Sequence, residues 1–585
     1  MSLGSGRTVR AGRENFSTAN ELDQDVFELT DDFTWLTGNH TLTIGTHNEF
    51  FKFRNLFIRD SFGNYTFDSL DLFEQGLAQS YSYSYSLTSD PLQSARFKVR
   101  QFGFYVGDQW RPRNDLTLTA GLRADIPTFP DKPTRNPLTE TALGLRTDEV
   151  PGGAQWSPRV GVNYTLSEDG REQVRGGFGL FAGRTPYVWL SNQYGNTGIE
   201  FQRISVSRVN GSERIPFSPD AGNQPTTVPG ATVATNEIDL IDPDYKYPSI
   251  MRGNLAYDRA LGWQFLVGTV EFLYSKNLDD VKYENLNLRQ TGTRPDGRPV
   301  YSRNVVPGIS DLIFLTNSDQ GDAWSIAFKV ERPFRDRFYA NVGYIYGKSR
   351  SILDGQSSQA ASNWGNVYVP GDPNNPPLAR SNFDPGHRIT ASGSYQVPMP
   401  AGFSATASVF YSGQSGRPWS ANYGFDYNGD VRGTNDLLYI PASASEGYTF
   451  TQGTFEDLMA FVNAEPCLAD YIGKIHERNA CRAPWQNTLD FRFNLGLPIK
   501  RSKIELTWDV LNLINLFDSQ SGIVEYANFN DLLVVRPSIS SSTGAITYDL
   551  RNIFVNGERQ DPQDLFTRND LASRWQMQFG ARIRF

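Results

Sequence analysis

Asp426, Asn428 and Asp430 have the spacing of the first three oxygen ligands of a calcium-binding loop. Position six of such a loop is Val431 here instead of glycine, and position twelve is Leu437 instead of glutamate. These departures exclude an EF-hand. Two interpretations stay open: a looser oxygen-ligand calcium site, and a cluster of Asx turns, which is the commoner use of such residues. The sequence favours the turns.

Other chemistry has little support in the chain. Its histidines are scattered over predicted turns, strands and one loop: His40, His47, His387 and His476. No GxSxG elbow, P-loop or HExxH motif occurs. We therefore expect no catalytic residue, no bound cofactor and no enzymatic activity.

Two cysteines occur, Cys467 and Cys481, close together in one polar stretch. In an oxidising compartment such a pair predicts a disulfide that closes a loop, and two free thiols are the alternative.

A set of aromatic residues lies on two neighbouring long loops. Exposed aromatics can stack on sugars, aromatic chelates or peptides, but they also pack loops together or mark a membrane interface. We treat as candidate ligand contacts Trp364, Tyr368, Trp419, Tyr423 and Tyr427.

The last residues of the chain indicate which elements position these loops. From Trp575 through Phe579 to Phe585 every odd position is apolar, and every even position is Arg, Gln or Gly. A period of two places the two sets on opposite faces of one strand. An outer-membrane barrel uses such a strand with its apolar face toward lipid and its polar face toward the lumen.

The same alternation recurs in pairs joined by short turns. We count fifteen strands, near 24–36, 41–53, 97–110, 116–126, 158–166, 174–183, 250–258, 263–274, 324–330, 338–346, 389–397, 403–411, 489–497, 504–510 and 575–585. Long polar segments separate the pairs, near 54–95, 127–157, 184–249, 275–321, 348–386, 414–486 and 514–573. Strict alternation of short and long connections predicts a transmembrane antiparallel β-barrel with short periplasmic turns and long extracellular loops. The alternative is a large β-sandwich array or propeller, which would not alternate connection lengths in this way.

On this interpretation the lumen is lined by charged residues: Arg123, Asp125, Arg388, Asp490, Arg492, Arg582 and Arg584. We expect the pairs Arg123/Asp125 and Asp490/Arg492 to be cross-strand ion pairs that stiffen the wall, with contact to a substrate as the less common alternative.

Composition narrows the class further. Mean hydropathy is −0.46, and no run approaches the ~20 apolar residues that a spanning helix needs. A net charge of −9 argues against a nucleic-acid partner. Residues 1–7 contain no apolar signal-peptide core, so we expect a processed chain or one that starts inside a longer gene product. An odd strand count ending in the periplasm likewise predicts missing N-terminal strands.

Residues 483–492, followed by 509–517, resemble the "PW.N.LD.R … D.FNL.N" strand pair of TonB-dependent outer-membrane transporters. Residues 41–50, 384–392, 426–430, 435–436 and 574–585 resemble more narrowly the Oar-like branch, whose members carry a carboxypeptidase-regulatory-like domain before the plug.

The resemblance implies that residues 1–585 are the C-terminal portion of a 22-stranded barrel, about its last fifteen strands, without the plug and the regulatory-like domain. It also implies uptake of a scarce nutrient, which could be a small molecule, a glycan or a peptide. The expected partners are outer-membrane lipid and lipopolysaccharide, the TonB complex through the missing plug, and the barrel assembly machinery through the C-terminal strand. The expected location is the bacterial cell outer membrane.

Two alternatives stay open. One is a passive porin-like channel of about sixteen strands, and the other is a surface adhesin anchored by a barrel. Fifteen strands would leave two unpaired edges, so we expect the chain expressed alone to aggregate or to close imperfectly.

Overall fold

A computed structural model describes residues 9–207, 213–228, 237–263, 265–303, 305–498, 503–540 and 542–584. Fifteen long strands in these residues form one continuous antiparallel sheet, which we call the wall, and each strand pairs with the next in chain order. They are β1 Asn20–Thr37, β2 His40–Phe57, β3 Ala95–Arg113, β4 Leu116–Thr128, β5 Gln155–Thr165, β6 Glu172–Ala182, β7 Ser249–Ala260, β8 Val267–Asn285, β9 Asp322–Arg335, β10 Phe338–Ser351, β11 Gly386–Val397, β12 Ser404–Gln414, β13 Gln486–Leu497, β14 Lys503–Leu511 and β15 Gln576–Arg584. The predicted strand count and antiparallel fold are confirmed.

Register brings apolar positions of neighbouring strands together on one face of the wall. Between β8 and β9, Val270 stands opposite Phe328, while on the other face Thr269 stands opposite Lys329. Phe328 is 43% exposed and Val342 on β10 is 53% exposed, so these side chains point away from the protein and have no core to fill. The wall thus has an outer apolar face and an inner polar face, which is the arrangement of a membrane-spanning barrel.

Connections at the two ends of the wall differ in length. At one end the turns are short, such as 38–39 between β1 and β2 and 336–337 between β9 and β10. Gly38 has a φ of 56°, in the left-handed region that a two-residue hairpin turn requires. At the other end lie the seven long loops 58–94, 129–154, 183–248, 286–321, 352–385, 415–485 and 512–575. Some strands continue past the predicted membrane segment: β8 extends to Asn285, where the alternation had placed its end near 274.

The wall is an open sheet. Within the described residues β1 pairs only with β2, and β15 pairs only with β14. Every residue of β1 is exposed, as expected for a strand with a single neighbour.

The loops contain short elements of their own. The α-helices are Leu70–Glu74, Pro137–Leu143, Tyr187–Gly195, Ala360–Gly365, Phe455–Asn463, Pro466–Ala469, Leu513–Phe517 and Asp570–Ser573, and the 3-10 helices are Asn528–Asn530, Arg551–Ile553 and Pro562–Leu565. The loop strands are Asn64–Thr66, Leu77–Ala78, Ser80–Ser86, Phe201–Ser207, Ile215–Pro216, Ile238–Ile241, Leu288–Thr293, Pro299–Arg303, Leu312–Ser318, Ala379–Arg380, Pro418–Tyr423, Tyr439–Ile440, Tyr448–Thr451, Lys474–Ile475, Cys481–Arg482, Glu525–Tyr526, Asp531–Ile539, Ile546–Asp549, Phe554–Val555, Glu558–Arg559 and Thr567–Arg568. Across the described ranges, every helix is too short or too polar to traverse a lipid bilayer.

The two C-terminal loops, 415–485 and 512–575, fold together into a unit that we call the cap. Its five-stranded sheet combines strands of both loops, and Pro418–Tyr423 runs parallel to Asp531–Ile539. A helix, Phe455–Asn463, begins with a capping box in which Thr454 and Asp457 satisfy each other's backbone N–H groups. The cap therefore has its own apolar core, separate from the wall.

Candidate functional site

The inner face of the wall carries the charged residues that the sequence assigned to the lumen. Register places on it Arg123, Asp125, Arg388, Asp490, Arg492, Arg582 and Arg584. The pairing differs from the expectation. Arg123 and Asp125 pair along one strand, with Arg123 Nη2 2.7 Å from Asp125 Oδ1, because residues two apart share a face.

Arg492 does not pair with Asp490. It faces Asp509 on the neighbouring strand β14, with Nη2 3.0 Å from Oδ2, while Asp490 accepts the backbone N–H of Asn512 at 2.8 Å. Directly opposed residues of adjacent strands are closer than the next residue but one along a strand. Strand register, which sequence alone does not supply, decided this pairing.

The C-terminal strand presents its aromatics to the outside. Phe579 is 75% exposed and lies on the outer face, stacked against Trp508 of β14 with ring centroids 6.3 Å apart. Trp575 immediately precedes β15 and is exposed. Phe585 lies outside the described residues.

Four of the five loop aromatics proposed as ligand contacts are buried. Trp419, Tyr423 and Tyr427 form part of the cap core, and Trp364 lies in a second core with Tyr187 and other residues of loop 183–248. Ligand contact was the wrong interpretation for these four, because their surface is covered by other loops. Tyr368 alone of the five is half-buried, and its hydroxyl donates to the backbone oxygen of Phe529 at 2.6 Å.

A buried arginine explains why two of these tyrosines are interior. The guanidinium of Arg298 lies 5.2 Å from the ring centre of Tyr423 and 4.8 Å from that of Tyr427. Its Nε is 2.8 Å from Asp296, its Nη1 is 3.4 Å from Asp436, and its Nη2 donates to a backbone oxygen. This fully enclosed network joins loop 286–321 to the cap.

The calcium-like segment is a set of Asx turns. Asp426 accepts the backbone N–H groups of Gly429 and Val431, Asn428 Oδ1 accepts that of Asp430, and Asp430 Oδ1 accepts that of Arg432. These oxygens face the N–H groups of their own loop. In the described residues the acidic groups here do not converge as a cluster of three ligands, and the calcium candidates Asp426, Asn428 and Asp430 stay a prediction.

One cluster was not foreseen from the sequence. Glu28, His47 and Glu49 bring their ligand atoms within 4.8 Å of one another on the inner face of β1 and β2. His47 Nδ1 lies 2.8 Å from the hydroxyl of Thr30, and Glu49 lies 2.9 Å from Arg184. Only the β1–β2 register brings these residues together.

The two cysteines are joined in a disulfide, Cys467–Cys481, at the edge of the cap core. His476 lies between them in sequence and is buried, and burial lowers its pKa to about 3. Its Nδ1 accepts the backbone N–H of Ala421 at 3.3 Å. The neutral imidazole is thus a structural acceptor within the cap.

Two cavities among the loops are large enough for a small ligand. The first, about 440 Å³, is lined by Tyr368, Phe529 and amide side chains that include Asn363 and Asn382. The second, about 360 Å³, is lined by four arginines from four loops and by Glu237 and Asp311; we call it the arginine cavity. Residues of loops 58–94, 183–248, 286–321, 352–385 and 415–485 reach it. These loops leave the wall at widely separated strands, so the arginine cavity is a meeting point of the whole loop end.

Comparison with known proteins gives the family. The family described as outer membrane beta barrel domain matches residues 4–547. None of the curated proteins matches the sequence. Among solved structures, the outer membrane transporter YddB from Escherichia coli is 12% identical over 90% of this chain and 52% of its own, with a TM-score of 0.45.

The FrpB iron transporter from Neisseria meningitidis is 12% identical, over 85% of this chain and 52% of its own, with a TM-score of 0.43. The ferric enterobactin receptor PfeA from Pseudomonas aeruginosa is 11% identical, over 96% and 54%, with a TM-score of 0.43. The chain spans about half the length of these proteins. From its amphipathic wall, its connections and the match over residues 4–547, the chain belongs to the outer membrane β-barrel domain family and is a protein of the outer membrane.

Proposed function

We propose that residues 1–585 are the barrel portion of a TonB-dependent transporter that takes up a scarce nutrient across a Gram-negative outer membrane, in the Oar-like branch. The whole protein would bind its ligand among the extracellular loops, and force transmitted by TonB to a plug would open a path through the lumen. Contact with lipopolysaccharide and recognition of the C-terminal strand by the barrel assembly machinery belong to the same proposal.

The observation that carries the proposal is the convergence of five loops on one cavity. A passive channel needs an open mouth, whereas a receptor needs its loops to build a site of fixed shape. The cap core and the buried Arg298 network hold those loops together, as pre-organised binding requires. The sequence resemblance at residues 483–492 and 509–517 agrees with this function.

The experiment is an uptake assay of the full-length protein in Gram-negative cells under nutrient limitation, with and without a functional TonB. We expect accumulation of the nutrient to depend on both the protein and TonB. Uptake that is indifferent to TonB would instead favour a passive porin-like channel. Cell attachment without uptake, lost on deletion of a loop, would favour an adhesin.

A further inference from the structure

The arginine cavity has more positive than negative groups on its walls. Arg59, Arg203, Arg303 and Arg432 line it, each from a different loop. We propose that this cavity binds an oxyanion, a carboxylate or phosphate group of the ligand. This inference rests on the proposed function, because it names the ligand class that the transporter would recognise.

On one side of the cavity, a single carboxylate serves two of the arginines. Asp60 is fully buried and lies 3.0 Å from Arg203 Nη2 and 3.6 Å from Arg59 Nε. Its other oxygen accepts the side-chain amide of Asn15 at 3.0 Å. Asp60 therefore balances only one of the two charges.

A second carboxylate, Asp311, is likewise shared by two of the arginines. Asp311 lies 3.1 Å from Arg303 Nη1 and 3.5 Å from Arg432 Nη2, and it also accepts the side-chain amide of Asn285 at 2.8 Å. Four guanidinium groups thus share two carboxylates.

The third acidic residue of the cavity, Glu237, holds its proton more readily than an exposed glutamate. Burial, and then the proximity of Asp311, raise the pKa of Glu237. Burial, and then Glu237, raise the pKa of Asp239 well above its usual value, so these two neighbours retain protons more readily than exposed carboxyls. Burial, followed by repulsion from Arg203, lowers the pKa of Arg59. Positive groups are crowded here, and an incoming anion would relieve that crowding.

The surrounding protein does not satisfy all the hydrogen-bond donors of Arg203 and Arg432. Among the described residues, Arg432 Nε and Nη2 and Arg203 Nε are buried atoms without a hydrogen-bond acceptor. The planar guanidinium matches the paired oxygens of carboxylate and phosphate, so the four arginines that line the cavity suit an oxyanion.

The position of Arg432 is enforced by its surroundings. Its guanidinium lies 5.1 Å from the ring centre of Trp364, and a Cβ placed on Gly365 would stand 2.5 Å from its Nε. Only a residue without a side chain allows this approach.

Arg298 offers a contrast within the same chain. It is more deeply buried than Arg432, yet it faces two carboxylates and a backbone oxygen. This structural arginine is fully compensated, and the four cavity arginines are not.

The test is calorimetric titration of the full-length protein with citrate and, separately, inorganic phosphate, and with glucose as an uncharged probe. We expect citrate or phosphate to bind and glucose not to bind at this site. Arg432→Gln and Arg203→Gln should each weaken the affinity for the anion at least tenfold. Arg551→Gln, an exposed cap arginine paired with Asp549, is the matched control and should leave affinity unchanged.

Gly365→Ala keeps all the charges of the cavity but displaces the Arg432 side chain, so it should also weaken the affinity for the anion. Failure of both anions to bind the natural protein, or equal affinity in Arg432→Gln and the control, would overturn the inference. If the anions do not bind but uptake still depends on TonB, the oxyanion inference fails and the proposed transport function stands. If the anions bind but uptake does not depend on TonB, the transport function fails and the oxyanion site stands.

Discussion

The two faces of the wall differ most clearly at adjacent residues of β10. Val342 points outward between Val330 and Ala391, and Asn341 points inward opposite Glu331. Replacing each by arginine adds the same side chain one residue apart. Val342 lies five residues beyond the end of the turn 336–337, so at ~3.3 Å per residue and a tilt of roughly 40° it is close to the middle of the ~25 Å apolar band.

An arginine facing lipid at that depth costs about 2–4 kcal/mol. Val342→Arg should therefore reduce the ratio of folded to unfolded protein roughly 30- to 700-fold, since each 1.4 kcal/mol is tenfold. Asn341→Arg should change stability by less than about 0.5 kcal/mol, because the new charge lies on the wet face opposite Glu331.

The assay is equilibrium folding of the full-length protein into lipid vesicles over a urea series, followed by the electrophoretic shift of the folded form. Equal stabilities of the two variants, or a larger loss for Asn341→Arg, would refute the assignment of the outer face to lipid. In detergent micelles the difference in stability between Val342→Arg and Asn341→Arg should be smaller, because a micelle deforms around a charge more easily than a bilayer does.

Three further predictions concern the cap. Arg298→Met should lower the free energy of unfolding of the cap by about 3–5 kcal/mol, because it leaves Asp436 buried without its cation. Chemical denaturation followed by tryptophan fluorescence measures this, and an unchanged denaturation midpoint would contradict the prediction. His476 has a folded pKa of about 3 and an unfolded pKa near 6.5, so the unfolded chain binds the extra proton and stability falls as pH drops below 6.5, by about 2 kcal/mol at pH 5. Thermal scans should show that this slope is shallower in His476→Gln. Reduction of the Cys467–Cys481 disulfide, or replacement of both cysteines by serine, should lower the free energy of unfolding by about 3 kcal/mol for a loop of this length. An unfolding curve that is the same with and without reductant would contradict this prediction.

The wall was predictable because its information is local. Alternation of Thr507, Trp508 and Asp509 identifies two faces without any knowledge of neighbouring strands. The lengths of the connections distinguish the two ends of the wall, since Gly38 marks a tight hairpin at one end and the polar runs mark long loops at the other.

The cap and the arginine cavity were not predictable because they depend on contacts between loops far apart in the chain. Trp419 lies in a polar stretch of the sequence, and only the cap, in which Pro418–Tyr423 pairs with Asp531–Ile539, buries it. Arg59 and Arg432 have no common sequence pattern, and only the fold of five loops brings them to one cavity. The ion pairs of the wall fall between these cases. Alternation along each strand predicts which face their side chains occupy, but the strand register decides which residues pair.

The parallel strands of the cap impose an order on its assembly. Pro418–Tyr423 lies beside Asp531–Ile539, and Tyr448–Thr451 lies beside Ile546–Asp549. A complete membrane hairpin, β13 and β14, separates the two loops that supply these strands. Neither loop can finish folding while that hairpin is still on the periplasmic side, so the cap forms only after the lipid-embedded part of this region is in place.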